Sequence, residues 1–160
     1  MTARGRRAAR WAAVVAWTLF VWSRSLFDGP DSAAQSNVVV ALVRPLLEAL
    51  GVRDASLMSL LVRKAGHFCE YAVLGGLASW ADGPRPVKAP LVRQAPLLAL
   101  ALAVAALDET IQLFVPGRTG SPRDVLIDGC GAAVGLVALG AARHAPRRRR
   151  QGPSQGPTPR

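Results

Sequence analysis

DETIQLFVPGRTGSPRDVLIDG, residues 108–129, joins two strongly apolar runs, and its reading decides the fold. Before it, LLALALAVAAL (97–107) carries no charge at all; after it, an apolar run continues to Arg143. Within it, Asp108, Glu109, Asp124 and Asp128 gather with Arg118 and Arg123. Pro116-Gly117 has the composition of the centre of a tight turn. Ser121-Pro122-Arg123-Asp124 reads as a helix start, with Ser121 as cap, Pro122 at the first position and Asp124 reaching back. The stretch is therefore a short polar turn between two apolar helices, with carboxylates at both helix ends.

Composition extends this reading to the whole chain. A length of 160 residues allows one domain at most. Hydrophobic residues make up 51% and mean hydropathy is +0.24, yet the formal net charge is +10. High hydropathy with a basic excess indicates a membrane protein. A nucleic-acid partner is disfavoured, because the arginines crowd the termini and the joints between apolar runs instead of forming one stripe. Cys69 and Cys130 both sit inside apolar segments and form neither a CxxC pair nor a disulfide framework.

Three further segments follow the same logic. WAAVVAWTLFVW (11–22) is short for a span, but Arg10 and Arg24 can snorkel to the two interfaces and the flanking tryptophans suit head groups. A first helix is expected over Ala8 to Phe27. NVVVALVRPLLEALGV (37–52) and SLMSLLVRK (56–64), interrupted by Pro45 and Gly51, read as amphipathic helices lying at the interface or packing on the bundle. A second span is expected from Leu60 to Ala81, closed by DGPRPVKAP (82–90). The third covers Pro96 to Phe114 and the fourth Pro122 to Arg143. HAPRRRRQGPSQGPTPR (144–160) has the composition of a disordered basic tail. The expected fold is thus an all-α integral membrane bundle of about four transmembrane helices plus short interfacial ones, with the domain over 1–143.

Basic residues set the orientation. The N-terminal tail, the joint after the second span, and Arg143 with the C-terminal tail together hold 13 of the 20 Lys and Arg, the opposite side 7. Both termini are expected in the cytoplasm, with residues 108–129 at the outer face.

At 100° per residue, Lys64, His67, Glu70 and Tyr71 share a stripe on the second span. Asp108 and Gln112 share a face on the third, with Glu109 beside it. Asp124, Asp128, Gly131 and Gly135 make one line on the fourth. Each polar set lies at the end expected outside, and such residues avoid lipid, so they are expected to converge. Gly131 and Gly135 are read as helix-packing positions.

KAGHFCEYAVLG (64–75) resembles the K-x-x-H-F-x-E-Y-x-x-L-G element of VanZ-like membrane proteins. DETIQLFVPGRTGSPRDVLIDGCGAAVG (108–135) resembles their D-E-x-x-Q-x-F-x-P-G-R-x-G-x-x-x-D-V-x-x-D-x-x-G-x-x-x-G element. Ile111 stands where many relatives carry His, which leaves His67 as the one histidine in the matched elements. The resemblance implies a small multi-span protein of the bacterial cell envelope, associated with resistance to teicoplanin-type glycopeptides. It supplies no established reaction.

Three functions fit these residues. In the first, an outward site takes an anionic envelope lipid or lipid-linked cell-wall precursor. Arg118 and Lys64 would contact phosphate or carboxylate, helped by Tyr71, Gln112 and the N-terminus of the last helix. His67, Glu70, Asp108, Glu109, Asp124 and Asp128 are then the acid–base candidates. In the second, the protein is a non-catalytic accessory that binds or reorganises membrane lipids. In the third, the ion pairs only specify helix packing. No P-loop, nucleophile elbow or HExxH motif names a chemistry. Carboxylates with one histidine suit Mg²⁺ or Ca²⁺, but no ligand spacing is fixed, so no metal and no cofactor are assigned.

Overall fold

Thr2 opens the first helix by accepting a hydrogen bond on its hydroxyl from the Gly5 amide at 3.2 Å. From there the computed structural model describes residues 2–27, 29–83 and 94–144. These form five helices and, among the described residues, no strand: α1 (Ala3–Ser25), α2 (Gly29–Ala49), α3 (Ala55–Asp82), α4 (Ala95–Gln112) and α5 (Pro122–His144). The joint at 84–93 and the tail from 145 onward, where disorder was expected, lie outside the described residues.

The helix boundaries have local causes. At the end of α2, Gly51 adopts φ +86°, its amide bonding to Glu48 O at 3.0 Å while the Val52 amide reaches Leu47 O at 2.9 Å. This is a Schellman closure, which needs a residue free to enter the left-handed region. Asp54 then caps α3, its carboxylate accepting from the Leu57 amide at 2.7 Å. Between α4 and α5, the Arg118 amide bonds to Val115 O at 3.2 Å across Pro116 and Gly117, the latter at φ +72°. Proline at the second and positive-φ glycine at the third position is the composition of a type II turn. Ser121 Oγ accepts from the Arg123 amide at 3.2 Å, so Ser121 caps α5 as its sequence suggests.

Two expectations about the first half are corrected. Pro45 does not break its helix: α2 runs through it for 21 residues. Proline removes only its own amide donor, and the remaining turns hold the helix. SLMSLLVRK is not a separate interfacial helix but the opening of α3, which runs 28 residues from the Asp54 cap. Of the expected spans, α4 and α5 are long and apolar enough to cross a membrane; among the described residues no other helix passes that test. Arginines in α1, and Arg63, Lys64, Glu70 and Asp82 in α3, lower the hydropathy of those two helices.

The packing is built on small residues. The most extensive interface joins α3 to α5. A methyl group added at Gly75, Gly131 or Gly135 would overlap the backbone of Ala132, Phe68 or Ala72, respectively. Absence of side chains at these points lets the two backbones touch, as in small-residue helix pairs within membranes. Around this seam Val14 and Val21 of α1, Tyr71 and Leu74 of α3, and Ala101 and Ala105 of α4 form the apolar core. Among the described residues α2 packs on α3, leaving Val38, Leu42, Leu46 and Leu50 exposed.

Cross-helix contacts give the direction of each helix. Arg10 lies over the Trp80 ring at 5.2 Å, and Trp17 Nε1 donates to Glu70 O at 2.9 Å, so α1 and α3 are antiparallel. Lys64 meets Asp124 and Arg143 reaches Ser79 O at 2.8 Å, so α3 and α5 are parallel. Trp22 Nε1 reaches Val104 O at 3.3 Å, joining the end of α1 to the middle of α4, and the short turn between α4 and α5 sets those two antiparallel. One end of the bundle therefore collects the start of α1, the end of α3, the start of α4 and the end of α5. The other collects the end of α1, the polar stripe of α3 and the turn from α4 to α5.

Candidate functional site

The polar end is where the residues singled out from sequence meet. Asp108, Glu109 and Gln112 of α4 are buried, as is Asp128 of α5, with Asp108 and Asp128 wholly withdrawn from solvent at 0% exposure. Helical spacing is the reason: Asp108 and Gln112 are one turn apart, and Asp128 follows Asp124 by one turn on the face that α5 turns toward α3. His67, one turn from Lys64 on α3, faces them. Its Nδ1 stands 3.6 Å from Asp128 Oδ1.

Gln112 organises the α4 carboxylates. Its Nε2 donates to Asp108 Oδ2 at 3.3 Å and to Glu109 Oε1 at 3.1 Å, while its Oε1 accepts from Arg118 Nη2 at 3.0 Å. The second oxygen of Glu109 accepts from the Ser121 amide at 2.7 Å. Glu109 thereby ties the end of α4 to the start of α5. Gly120 makes this possible, since a methyl group there would overlap Glu109 O. Tyr71, at 0% exposure, completes the buried set with its hydroxyl.

The remaining predicted residues form ion pairs at the edge. Lys64 Nζ pairs with Asp124 Oδ1 across the α3–α5 seam. Asp124 is thus drawn toward Lys64, and the Ser121 amide it was expected to reach back to bonds to Glu109 instead. Glu70 Oε1 accepts from Arg24 Nε at 3.0 Å. Arg24 was read from sequence only as an interfacial anchor; its approach to Glu70 depends on α1 crossing α3, which periodicity does not contain. Ser25, also buried, was missed for the same reason.

Beside the buried set lies a groove of about 630 Å³ between α2 and α3. Val39, Val43, Leu46, Leu47, Leu61 and Val62 provide its apolar walls. Arg24, Arg63, His67, Glu70 and Arg118 provide its polar end. Burial, then the neighbouring Arg63 cation, pushes the Arg118 guanidinium below its ordinary pKa, with Asp108 and Glu109 acting the other way. An arginine keeps its charge under such pressure. The groove therefore combines apolar walls with the cations Arg63 and Arg118, while Arg24 is paired with Glu70.

Apolar helices joined through small residues, with ionisable side chains drawn inward at one end, define the class: a helical membrane protein with a buried polar centre. The family model described as VanZ/LLP1 matches residues 10–143, and the chain belongs to that family. No curated protein and no solved structure matches it.

Proposed function

We propose that the chain is a multi-pass protein of the bacterial cell membrane that binds an anionic envelope lipid or lipid-linked cell-wall precursor. In this reading α1, α3, α4 and α5 cross the bilayer and α2 lies along its surface, with both termini cytoplasmic. The observation that carries the reading is the groove between α2 and α3. An apolar trough ending in Arg24, Arg63 and Arg118 matches an amphiphile with acyl chains and a phosphate or carboxylate head. A phosphate accepts two parallel bonds from a guanidinium, so Arg118 is the residue best suited to fix its orientation.

His67 and Glu70 line the groove and would meet such a head group; Asp108, Glu109 and Asp128 sit behind His67. Acid–base work on a bound ligand would fall first to His67 and Glu70, with the others setting their charge. Lys64 and Asp124, both candidates from sequence, are engaged with each other between α3 and α5, which favours a packing role for that pair. Family membership supports a link to glycopeptide resistance in general.

Lipid recovered with the purified chain, identified by mass spectrometry, tests the reading. The wild type should carry anionic lipid well above its share of the membrane. Arg118→Lys, at equal membrane level, should carry several-fold less, because Lys lacks the fork. Equal lipid profiles in the two would overturn it.

A further inference from the structure

Five polar atoms at the polar end are buried without a hydrogen-bond partner among the described residues: His67 Nδ1, Tyr71 Oη, Asp108 Oδ1 and both oxygens of Asp128. A buried polar atom left unsatisfied costs about 1–3 kcal/mol, and more for a charged group. The orphans are concentrated at one point. His67, Asp108, Glu109 and Asp128 each present one ligand atom, and these atoms lie within 4.8 Å of one another. They come from three helices, α3, α4 and α5.

The spacings approach those around a single ion, with the widest, up to 4.8 Å, closing on binding. Ligands bonded at about 2.0–2.2 Å stand about 2.8–3.6 Å apart when adjacent and about 4.0–4.4 Å when opposite. The separation of 3.6 Å between His67 Nδ1 and Asp128 Oδ1 falls in the adjacent range and is too long for a hydrogen bond. Of the nearby cations, Lys64 pairs with Asp124 and Arg24 with Glu70, while Arg118 donates to Gln112 and its charge acts on Asp108 and Glu109. Gln112 and the Ser121 amide hold the other oxygens of Asp108 and Glu109, which is the outer support that metal ligands require. Tyr71 Oη, wholly buried, is one of the unpartnered atoms at this end.

The geometry points to a divalent transition-metal site formed by His67, Asp108, Glu109 and Asp128 at the meeting of α3, α4 and α5. Three carboxylates and one imidazole favour Mn²⁺, Fe²⁺ or Zn²⁺: imidazole selects against Ca²⁺ and Mg²⁺, and the oxygens against copper. Sequence spacing assigned no metal, because the four donors are brought together by three different helices. The site also explains why α4 and α5 direct their carboxylates toward His67 of α3, since the ion supplies the positive charge that burial demands. It stands independently of the lipid reading, and the test uses the metal alone.

The experiment takes the full chain in detergent, stripped with a chelator, dialysed against Mn²⁺ and then assayed for bound ion. About one Mn²⁺ per chain is expected, with a rise in unfolding temperature that the chelator reverses. Asp128→Asn and His67→Gln should each weaken binding at least about tenfold. Asp124→Asn, whose partner is Lys64, should bind as the wild type does. In the chelated state Asp128→Asn should unfold at the same or a higher temperature than the wild type, because it removes a buried charge. Should the variants fail to fold, pulsed electron paramagnetic resonance of wild-type-bound Mn²⁺ should show one imidazole nitrogen. A wild type that binds no Mn²⁺, a spectrum without that nitrogen, or ligand variants that bind as tightly as the wild type would each overturn the site.

Discussion

Lys64 and Asp124 sit at the seam of α3 and α5, with side chains 25% and 18% exposed. Two oppositely charged groups this withdrawn are worth more together than a surface pair, yet either one alone is left without its counter-charge. The pair therefore separates a packing role from a binding role. Asp124→Lys or Lys64→Asp alone should lower the unfolding temperature, and the double exchange should recover most of the loss, with a coupling energy of about 1 kcal/mol. If the double exchange leaves the protein as unstable as either single variant, the pair is not what holds the seam at that level. The same reasoning applies to Arg24 and Glu70, but Arg24 also lines the groove, so its loss would mix two effects.

Among the elements, α3 and α5 depend on glycine in two opposite ways. At Gly135 a methyl group would overlap the backbone of Ala72, and neither helix can yield without separating the seam. At Gly66 nothing lies within 4 Å of the added atom, although the residue is also inside α3. Gly66→Ala should be neutral or stabilise the helix by about 0.5–1 kcal/mol, since alanine loses less backbone entropy than glycine. Gly135→Ala should destabilise by about 1–3 kcal/mol through overpacking, with reduced folded yield. Thermal unfolding of the two variants in the same detergent distinguishes them, and similar behaviour would show that the close approach does not govern stability. GxxxG periodicity pointed to Gly131 and Gly135 in the sequence, but their opposite numbers, Phe68 and Ala72, carry no such signal.

For the whole molecule, the helix directions place the start of α1, the end of α3, the start of α4 and the end of α5 together, as the contacts of Arg10 with Trp80 and of Arg143 with Ser79 require. Most of the basic residues flank these ends, which is the side the charge asymmetry assigns to the cytoplasm. A single cysteine introduced at Thr119, in the turn at the opposite end, should react with an impermeant thiol reagent in intact cells, whereas one at residue 86 should react only after lysis. Cys69 and Cys130 are exposed and must first be replaced. The reverse labelling pattern would invert the orientation and remove the outward site.

The helical character of the apolar runs, the Ser121 cap and the turn at Pro116-Gly117 were legible in the sequence because each depends on residues within a few positions: Ser121 before Pro122, Gly51 closing α2, apolar residues repeating at the helical period. The convergence of His67, Asp108, Glu109 and Asp128 was legible in outline, since the stripes share one end of their helices and cannot face lipid. Two boundaries were misjudged: Pro45 was read as a break like Gly51, but only Gly51 takes a left-handed conformation while Pro45 is absorbed into α2, and residues 56–64, read as a separate helix, open α3 from the Asp54 cap. What only the tertiary structure decided is which groups meet. The pairing of Glu70 with Arg24, the groove that α2 forms against α3, and the four ligand atoms within reach of one ion depend on how helices distant in sequence cross. Local sequence sets each helix and its polar face; the crossing is set by backbone contact at Gly75, Gly131 and Gly135, where the partner is a surface of another helix and not a neighbour in the chain.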